Sequence, residues 1–192
     1  MYLLKFIILY VIKMIGIFLF KLHRVKLGKQ SEINGFPLII NRGFFQIGDH
    51  IKLNIMFPYN NLGGSRCMMF TVKKNAHLLI GNNVGISNAA IVCTECIQID
   101  DDVMIGNDCK IYDSDFHSLD YHNRITAGDI EAKSAPIHIK KGAFLGAHCI
   151  ILKGVSIGEY SVIGAGSVVT KSVPDQEVWA GNPARFIKKL HA

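Results

Sequence analysis

The sequence predicts an all-β fold, a solenoid of about five coils of short strands, on the strength of two observations. An aliphatic residue recurs every six positions from residue 139 onward, and a residue of modest size follows each one four positions later. Three such hexapeptides make a coil of about 18 residues, so equivalent side chains of successive coils stack into columns. A period of six fits short strands turned at regular corners better than a helix or a plain strand. The aliphatic positions are Ile139, Leu145, Ile151, Ile157, Ile163 and Val169.

Two segments leave this six-residue frame and are predicted as loops. The frame holds earlier in the chain, at Ile80 and Ile99 for example, but the spacing from Ile111 to Ile139 is too long for one coil. We therefore predict loops at 57–70 and 113–136. In the last coils the frame predicts three stacked pairs in the core: Ile139 with Ile157, Leu145 with Ile163, and Ile151 with Val169.

The frame divides the chain into an N-terminal helix over residues 1–30, a coiled body over 31–183 and a short C-terminal helix over 184–192. Residues 1–30 carry six basic and no acidic side chains, which accounts for the whole formal net charge of +6. The body therefore lacks the cationic face typical of nucleic-acid binding, and no such partner is expected. The apolar, basic helix fits either a membrane surface or a cover over the end of the body.

The cellular compartment is predicted from the cysteines and the N-terminus. Five cysteines are an odd number, which argues against a secreted disulfide framework. No small-residue cleavage site follows the apolar run, which argues against a secretory signal. We predict a cytoplasmic protein, peripheral on the inner face of the cytoplasmic membrane if its first helix contacts lipid.

Residues 45–187 resemble the hexapeptide-repeat acyltransferases. The resemblance lies in repeats such as IGNNVGISNA and in the closing VIGAGSVVTKSVPDQEVWAGNPARFIKK. It implies a left-handed parallel β-helix, a homotrimer, and acetyl-CoA bound in a groove between neighbouring β-helices. Within the family, the run DSDFHSLDYHNR resembles the catalytic loop of the sugar O-acetyltransferases, including the maltose and galactoside enzymes and those that modify capsule, O-antigen and exopolysaccharide. The implied acceptor is a sugar or a lipid-linked glycan, and no metal is expected.

His117 in that run is the candidate general base. Transfer of an acetyl group from a thioester to a hydroxyl needs a base beside the alcohol, and neutral imidazole suits this role. The alternative places His117 in the core, six positions after Ile111, where an unpartnered imidazole would cost roughly 1–3 kcal/mol. Asp115 is expected to orient the imidazole by accepting a hydrogen bond, with Asp113 as the competing candidate. A second histidine, His122, is expected to be an exposed loop residue.

The resemblance also implies a contact role for individual residues. The backbone N–H of Ala147 would donate to the oxyanion of the transition state and would contact the coenzyme. Asn88 would contact the sugar, and Asp113 is a second candidate for that contact. The other implied coenzyme contacts are Ala165, Thr170 and Lys171, with Arg185 and Lys188 at the phosphates.

Two other functions are compatible with a solenoid of this kind. One is a zinc-dependent, carbonic-anhydrase-like β-helix, for which the candidate ligands would be His117, His122, His138 and His148. The other is a non-catalytic β-helix that binds a partner or a nucleotide sugar. The acyltransferase-like C-terminal segment counts against the first, and the histidine in the loop counts against the second.

Overall fold

The structure is a computed structural model that describes residues 2–55, 60, 67–126 and 132–190, and its strands coil into a solenoid. Strands are short because each ends at a corner, as the period of six predicts. The elements in chain order are α1 (Tyr2–Leu22), β1 (Lys26–Leu27), β2 (Glu32–Asn34), β3 (Leu38–Asn41), β4 (Phe44–Ile47), β5 (Lys52–Asn54), β6 (Met69–Val72), β7 (His77–Ile80), β8 (Gly85–Ser87), β9 (Ala90–Cys93), β10 (Cys96–Ile99), β11 (Met104–Ile105), β12 (Lys110–Tyr112), α2 (Tyr121–Thr126), β13 (Ile137–Ile139), β14 (Phe144–Leu145), β15 (Ile150–Ile151), β16 (Ser156–Ile157), β17 (Val162–Ile163), β18 (Val168–Val169), β19 (Glu177–Gly181) and β20 (Ala184–Lys189).

Each coil contributes one strand to each of three parallel sheets. The first sheet is β1-β4-β7-β10-β13-β16, the second is β2-β5-β8-β11-β14-β17-β19-β20, and the third is β3-β6-β9-β12-β15-β18. We call the turn from the first to the second sheet the first corner, the turn from the second to the third sheet the second corner, and the turn into the next coil the third corner. Across the described residues, the order gives six complete coils, where the sequence predicts about five.

The predicted core columns are confirmed by the strand register. Ile139 pairs with Ile157, Leu145 with Ile163 and Ile151 with Val169, and all six side chains are fully buried. Burial of each aliphatic side chain contributes about 1.5–3 kcal/mol. The columns hold every corner at a fixed height along the solenoid.

Helix α1 is shorter than the predicted helix over residues 1–30, and the extra coil follows from that difference. The amide of Val25 bonds to the carbonyl of Phe20, and the amide of Arg24 bonds to that of Lys21. Arg24 has a φ of 56°, and Val25 and Phe20 are both buried. This is a Schellman ending, which usually has glycine in the left-handed position. With Arg24 there, the sequence offers no stop signal, and β1 begins soon afterwards.

Helix α1 covers the N-terminal end of the solenoid. The ring of Phe20 packs edge-on against those of Phe45 and Phe70 at centroid distances of 6.2 and 5.8 Å. Gly16 allows the close approach, because a Cβ there would lie 2.7 Å from the carbonyl oxygen of Gly35. The opposite side of the helix exposes large apolar side chains: Ile7, Ile8, Tyr10, Val11, Met14, Ile15, Phe18 and Leu22. Among the helices of the described residues, none combines the length and apolarity needed to cross a membrane.

The prediction of a C-terminal helix over 184–192 is wrong for the residues that the structure describes. Strand β20 returns antiparallel to β19, with Ala184 opposite Gly181 and Arg185 opposite Ala180. Gly181 adopts a φ of 105° at this reversal, a conformation that glycine tolerates. The unpaired edge of β19 offers backbone hydrogen bonds that a separate helix would leave unused.

The two predicted loops lie between strands of the solenoid. Most of 57–70 lies outside the described residues, and Met69 and Phe70 already belong to β6. In the second case β12 ends at Tyr112 and β13 begins at Ile137, while 127–131 lie outside the described residues.

Candidate active site

The second loop begins with a buried carboxylate that holds the neighbouring corner. Asp113 has no exposed surface, and its two oxygens accept hydrogen bonds from the backbone amides of Thr94, Glu95 and Cys96 at 2.7, 2.8 and 3.0 Å. A carboxylate enclosed in this way cannot reach a sugar. The prediction of a substrate contact at Asp113 is therefore wrong, and its role is to close a third corner.

Asp115 lies two residues further on and faces a cation from another coil. Its Oδ1 accepts a hydrogen bond from Lys153 Nζ at 2.6 Å, and both side chains are partly exposed. Its amide bonds to the carbonyl of Lys133, and Ser114 forms a bridge with Ser134. These contacts tie the first arm of the loop to its return arm.

His117 lies exposed at the apex of a tight turn. Its neighbour Phe116 adopts a φ of 64° and donates its amide to the Ser114 hydroxyl at 3.2 Å. The Phe116 ring packs edge-on against Tyr112, with centroids 5.2 Å apart. Loop backbone and ring packing thus fix the position of His117, and the alternative that it fills the core is wrong.

His122 lies in helix α2, so the expectation of a plain loop is wrong at this point, although the side chain is exposed as predicted. The helix is capped by Asp120, whose Oδ1 accepts a hydrogen bond from the amide of Asn123 at 2.9 Å. The His122 ring lies edge-on beside Tyr121, at 5.4 Å.

Asn88 lines a cavity of about 280 Å³ on the outer face of the third sheet. Asn88 is 4% exposed, and its side-chain oxygen has no hydrogen-bond partner within the described parts of the chain. A buried, unsatisfied acceptor costs roughly 1–3 kcal/mol, so a ligand hydroxyl would relieve a real penalty. Tyr112 lines the same cavity and packs on Phe116, which connects the cavity to the His117 loop. The other lining residues include Cys67, Met69, Asp108 and Lys110.

Ala147 and Ala165 occupy equivalent second corners of successive coils. The amide of Gly166 bonds to the carbonyl of Ala147 at 2.8 Å, while the amides of Ala147 and Ala165 have no acceptor among the described residues. A Cβ on Gly106 would lie 2.6 Å from the nitrogen of Ala147, so only glycine lets the coils stack this closely. Small side chains and unbonded amides leave room at this corner for a ligand that accepts hydrogen bonds.

The other predicted coenzyme contacts are exposed but do not share one corner. Arg185 and Lys188 lie on β20, at the end of the second sheet; Arg185 pairs with Ala180 on the side of the second corner, and Lys188 pairs with Val178 nearer the first corner. Thr170 and Lys171 lie at the third corner of the last coil, after β18. The structure therefore brings Ala147, Ala165 and β20 to one side and places Thr170 and Lys171 on another.

Sequence reasoning missed Lys153 and Tyr112. Lys153 stands two residues after Ile151, which pairs with Ile111 of the coil below, so the frame itself places Lys153 beside the start of the loop. Tyr112 carried no signal, because an aromatic residue at the end of a strand is common.

The two other histidines of the zinc alternative, His138 and His148, lie beside carboxylates. His138 Nε2 lies 2.8 Å from Asp100 Oδ2, and His148 Nδ1 lies 3.5 Å from Asp108 Oδ2. Across the residues described, no group of three or more histidine, cysteine or acidic side chains comes together as a metal site would require.

Comparison with known proteins defines the class to which this fold and site belong. Residues 136–171 match the family described as bacterial transferase hexapeptide (six repeats). The chain is 36% identical to the galactoside O-acetyltransferase of Escherichia coli (strain K12) over 164 residues, covering 84% of this chain and 71% of that protein. The protein therefore belongs to the hexapeptide-repeat acetyltransferases, and the predicted left-handed parallel β-helix is confirmed.

Two further relatives support this assignment over different lengths. A Staphylococcus aureus (strain COL) protein named as an acetyltransferase is 45% identical over 74 residues, which cover 38% of this chain and only 36% of that protein. A hexapeptide-repeat acetyltransferase from Vibrio cholerae O1 biovar eltor, solved with acetyl coenzyme A, superposes with a TM-score of 0.59 at 27% identity. That match covers 90% of this chain and 76% of the other.

Proposed function

We propose that this protein transfers an acetyl group from acetyl-CoA to a sugar hydroxyl, with His117 as general base. The observation that carries the proposal is the placement of His117: an exposed imidazole on an anchored turn, joined through Phe116 and Tyr112 to the cavity of Asn88. The E. coli relative named galactoside O-acetyltransferase supports a sugar as the acceptor.

The reaction needs one proton acceptor and one oxyanion donor. His117 removes the proton of the sugar hydroxyl as its oxygen attacks the carbonyl carbon of the thioester. The C–O bond forms, the C–S bond breaks, and the leaving thiolate takes the proton back from the imidazolium. The amide of Ala147, which has no acceptor among the described residues, is the donor for the oxyanion, and as a backbone group it is fixed before the reaction begins.

Asp115 is a positioning residue in this proposal. Lys153 holds its carboxylate at the base of the turn, so it can orient the imidazole without becoming a proton carrier itself. Asp113 cannot share this role, because its oxygens already accept three backbone hydrogen bonds.

The donor would lie along the second corners. Ala147 and Ala165 offer small side chains and free amides, and the exposed Arg185 and Lys188 on β20 offer charge for the phosphates of coenzyme A. Thr170 and Lys171 face another side of the same chain, so they would contact the coenzyme only across a boundary between two copies. A homotrimer with the coenzyme between neighbouring β-helices satisfies both sets.

Helix α1 is the proposed membrane contact. Its outward face is apolar at Ile7, Val11, Met14 and Phe18, and basic residues without an acidic neighbour surround its C-terminal end. Two copies would repel each other here, whereas an anionic bilayer surface would attract both features. We expect Val11→Ser/Phe18→Ser to abolish cosedimentation with phosphatidylglycerol vesicles, and unchanged cosedimentation would contradict the membrane role.

The acceptor is then a glycan of the cell surface, modified on the cytoplasmic side of the membrane during polysaccharide biosynthesis. This localisation follows from the proposed membrane contact and from the use of acetyl-CoA. It is tested together with the helix substitutions above.

The test of the proposed function is His117→Ala, with His122→Ala as a matched control. Loss of a general base lowers a rate by roughly 10² to 10⁴. We expect kcat for acetyl transfer to a galactoside panel, followed by thiol release, to fall by at least about 10², while the control stays within about twofold. Because both histidines are exposed, neither change should alter thermal unfolding. A near-normal kcat for acetyl transfer in His117→Ala would contradict the proposal.

A further inference from the structure

The outer face of the third sheet carries a second cavity beside that of Asn88, with a different chemistry. It measures about 530 Å³, and its wall includes Arg42, Lys73, Lys74 and Thr94. Strand register connects the two cavities: Leu38, Met69, Ala90 and Lys110 form one row across the sheet, and Ile40, Thr71, Val92 and Tyr112 form the next. The first row borders the Asn88 cavity. In the second row, Ile40 and Thr71 border the new cavity, while Tyr112 borders that of Asn88. Rows two residues apart are separated by roughly 7 Å, so one ligand can occupy both.

Three cations meet at this cavity without an acidic partner. Arg42, Lys73 and Lys74 are exposed, and within the described ranges none of them lies within ion-pair distance of a carboxylate. The nearest acid in sequence to Thr94 is Glu95, and it instead accepts a hydrogen bond from the Ser134 hydroxyl at 2.8 Å. The cavity is therefore a site of uncompensated positive charge, although the coiled body is neutral as a whole.

Thr94, which lies between the three cations and the loop of His117, is held in place by a hydrogen bond. The amide of Thr94 donates to Asp113, the first residue of the loop, at 2.7 Å. The Thr94 hydroxyl oxygen is buried and has no partner among the residues that the structure describes. An anion in the cavity would thus lie next to the base of the loop that carries His117.

We propose that the acceptor bears a phosphate or diphosphate group, which Arg42, Lys73 and Lys74 bind while its sugar occupies the Asn88 cavity. Three cations exceed what one carboxylate needs, and guanidinium and ammonium groups together suit the several oxygens of a diphosphate. This inference rests on the proposed acetyl transfer and adds the class of acceptor. The amide side chain of Asn41 donates to the carbonyl of His23 at 3.0 Å, which places this cavity near the basic end of α1.

The test is calorimetric binding of inorganic pyrophosphate to the full chain. The variant Arg42→Gln/Lys73→Gln/Lys74→Gln should bind at least about tenfold more weakly than the wild type, because each lost cation removes a charge-assisted contact. The matched control Lys52→Gln/Lys140→Gln/Lys141→Gln removes the same charge from other faces and should bind within about twofold of the wild type. Equal binding by the first variant, or an equal loss in the control, overturns the site.

Two further measurements separate this inference from the proposed function. Pyrophosphate should bind His117→Ala as tightly as the wild type. The phosphate site can therefore be tested in a variant that no longer transfers acetyl groups. In turnover, the triple variant should raise KM for a sugar 1-phosphate about tenfold and leave KM for a neutral methyl glycoside unchanged; equal effects on both acceptors would overturn the assignment.

Competition against pyrophosphate identifies the source of the phosphate. Tighter binding of farnesyl diphosphate than of UDP supports a lipid-linked acceptor, and the reverse order supports a nucleotide-linked one. Failure of both to compete overturns the diphosphate assignment.

Discussion

Four turns of the first corner bond a backbone amide that two turns of the second corner leave without an acceptor. At the first corner, the amides of Lys29, Asp49, Asn82 and Glu159 each donate to a side chain of the next turn of chain: Asp49, Asn82, Asp101 and Asp175, at 2.6–2.8 Å. At the second corner, Ala147 and Ala165 stand at equivalent positions, and their amides have no acceptor in the described part of the chain.

Within the same six-residue repeat, some corners therefore stabilise the fold and others leave an amide available to a ligand. A short acidic or amide side chain closes a corner by accepting the amide from the coil below. Alanine cannot accept a hydrogen bond, so the amide stays available to a ligand. Asp113 is the strongest case of closure, because one carboxylate accepts three amides at a third corner.

Removal of the Asp113 carboxylate should cause the largest loss of stability among these substitutions. Asp113→Ala leaves three backbone amides without their acceptor, and we expect the free energy of unfolding to fall by about 3–5 kcal/mol in urea denaturation. Asp113→Asn keeps one oxygen acceptor and should lose less. A loss below about 1 kcal/mol in Asp113→Ala would show that the carboxylate does not close the corner.

At Asp115, two residues away, a substitution should lower activity more than stability. We expect Asp115→Asn to lower kcat about tenfold with little change in either KM, because the carboxylate positions His117 rather than binding substrate. Its partly exposed ion pair with Lys153 makes the expected stability loss at most about 1 kcal/mol. Partial rescue of kcat in Asp115→Glu would support positioning, and a change in unfolding without a change in kcat would refute it.

A large side chain at the second corner should weaken the binding of acetyl-CoA and leave the binding of the sugar unchanged. Ala147→Leu places a large side chain where coenzyme A is proposed to lie, and we expect KM for acetyl-CoA to rise about tenfold or more. Lys141→Leu places the same leucine side chain at the first corner of the same coil and should leave KM for acetyl-CoA unaltered. Similar KM values in the two variants would refute the coenzyme assignment of this corner.

The smallest effect is expected at Asp175, a closed but exposed first corner. The amide of Glu159 and then Lys140 hold the pKa of Asp175 below its ordinary value. A depressed pKa stabilises the fold above about pH 4 and loses that contribution as pH falls through the folded-state value. Asp175→Asn should therefore lower Tm by at most about 2 °C at pH 6 and leave it unchanged near pH 2; a larger difference at pH 2 would contradict this assignment.

How much of the molecule the sequence predicts depends on how regular each part is. Ile139 and Ile157 could be paired from spacing alone, because six-residue periodicity determines both strand and corner. The end of α1 could not, since Arg24 takes a left-handed conformation that glycine normally marks. The C-terminal segment failed for another reason: β20 depends on an edge that only the folded β19 provides.

The candidate site divides in the same way. His117 was identified from the resemblance of its run to the catalytic loop of the sugar O-acetyltransferases and from the break in the frame, and the structure places it at the surface. Asp113 and Asp115 are the same residue type and stand two positions apart. Only their contacts in the structure show that Asp113 closes a buried corner and that Asp115 forms an ion pair with Lys153. The cavity of Arg42, Lys73 and Lys74 left no trace in the net charge of the body, because acidic residues elsewhere cancel it.

The packing of Phe20 and α1 against the first coils has a consequence for assembly. A bare terminal coil would present unpaired strand edges and an open aliphatic column, on which another molecule could stack end to end and extend into a fibre. The aromatic plug covers that column. Growth along the solenoid axis is blocked at the N-terminal end.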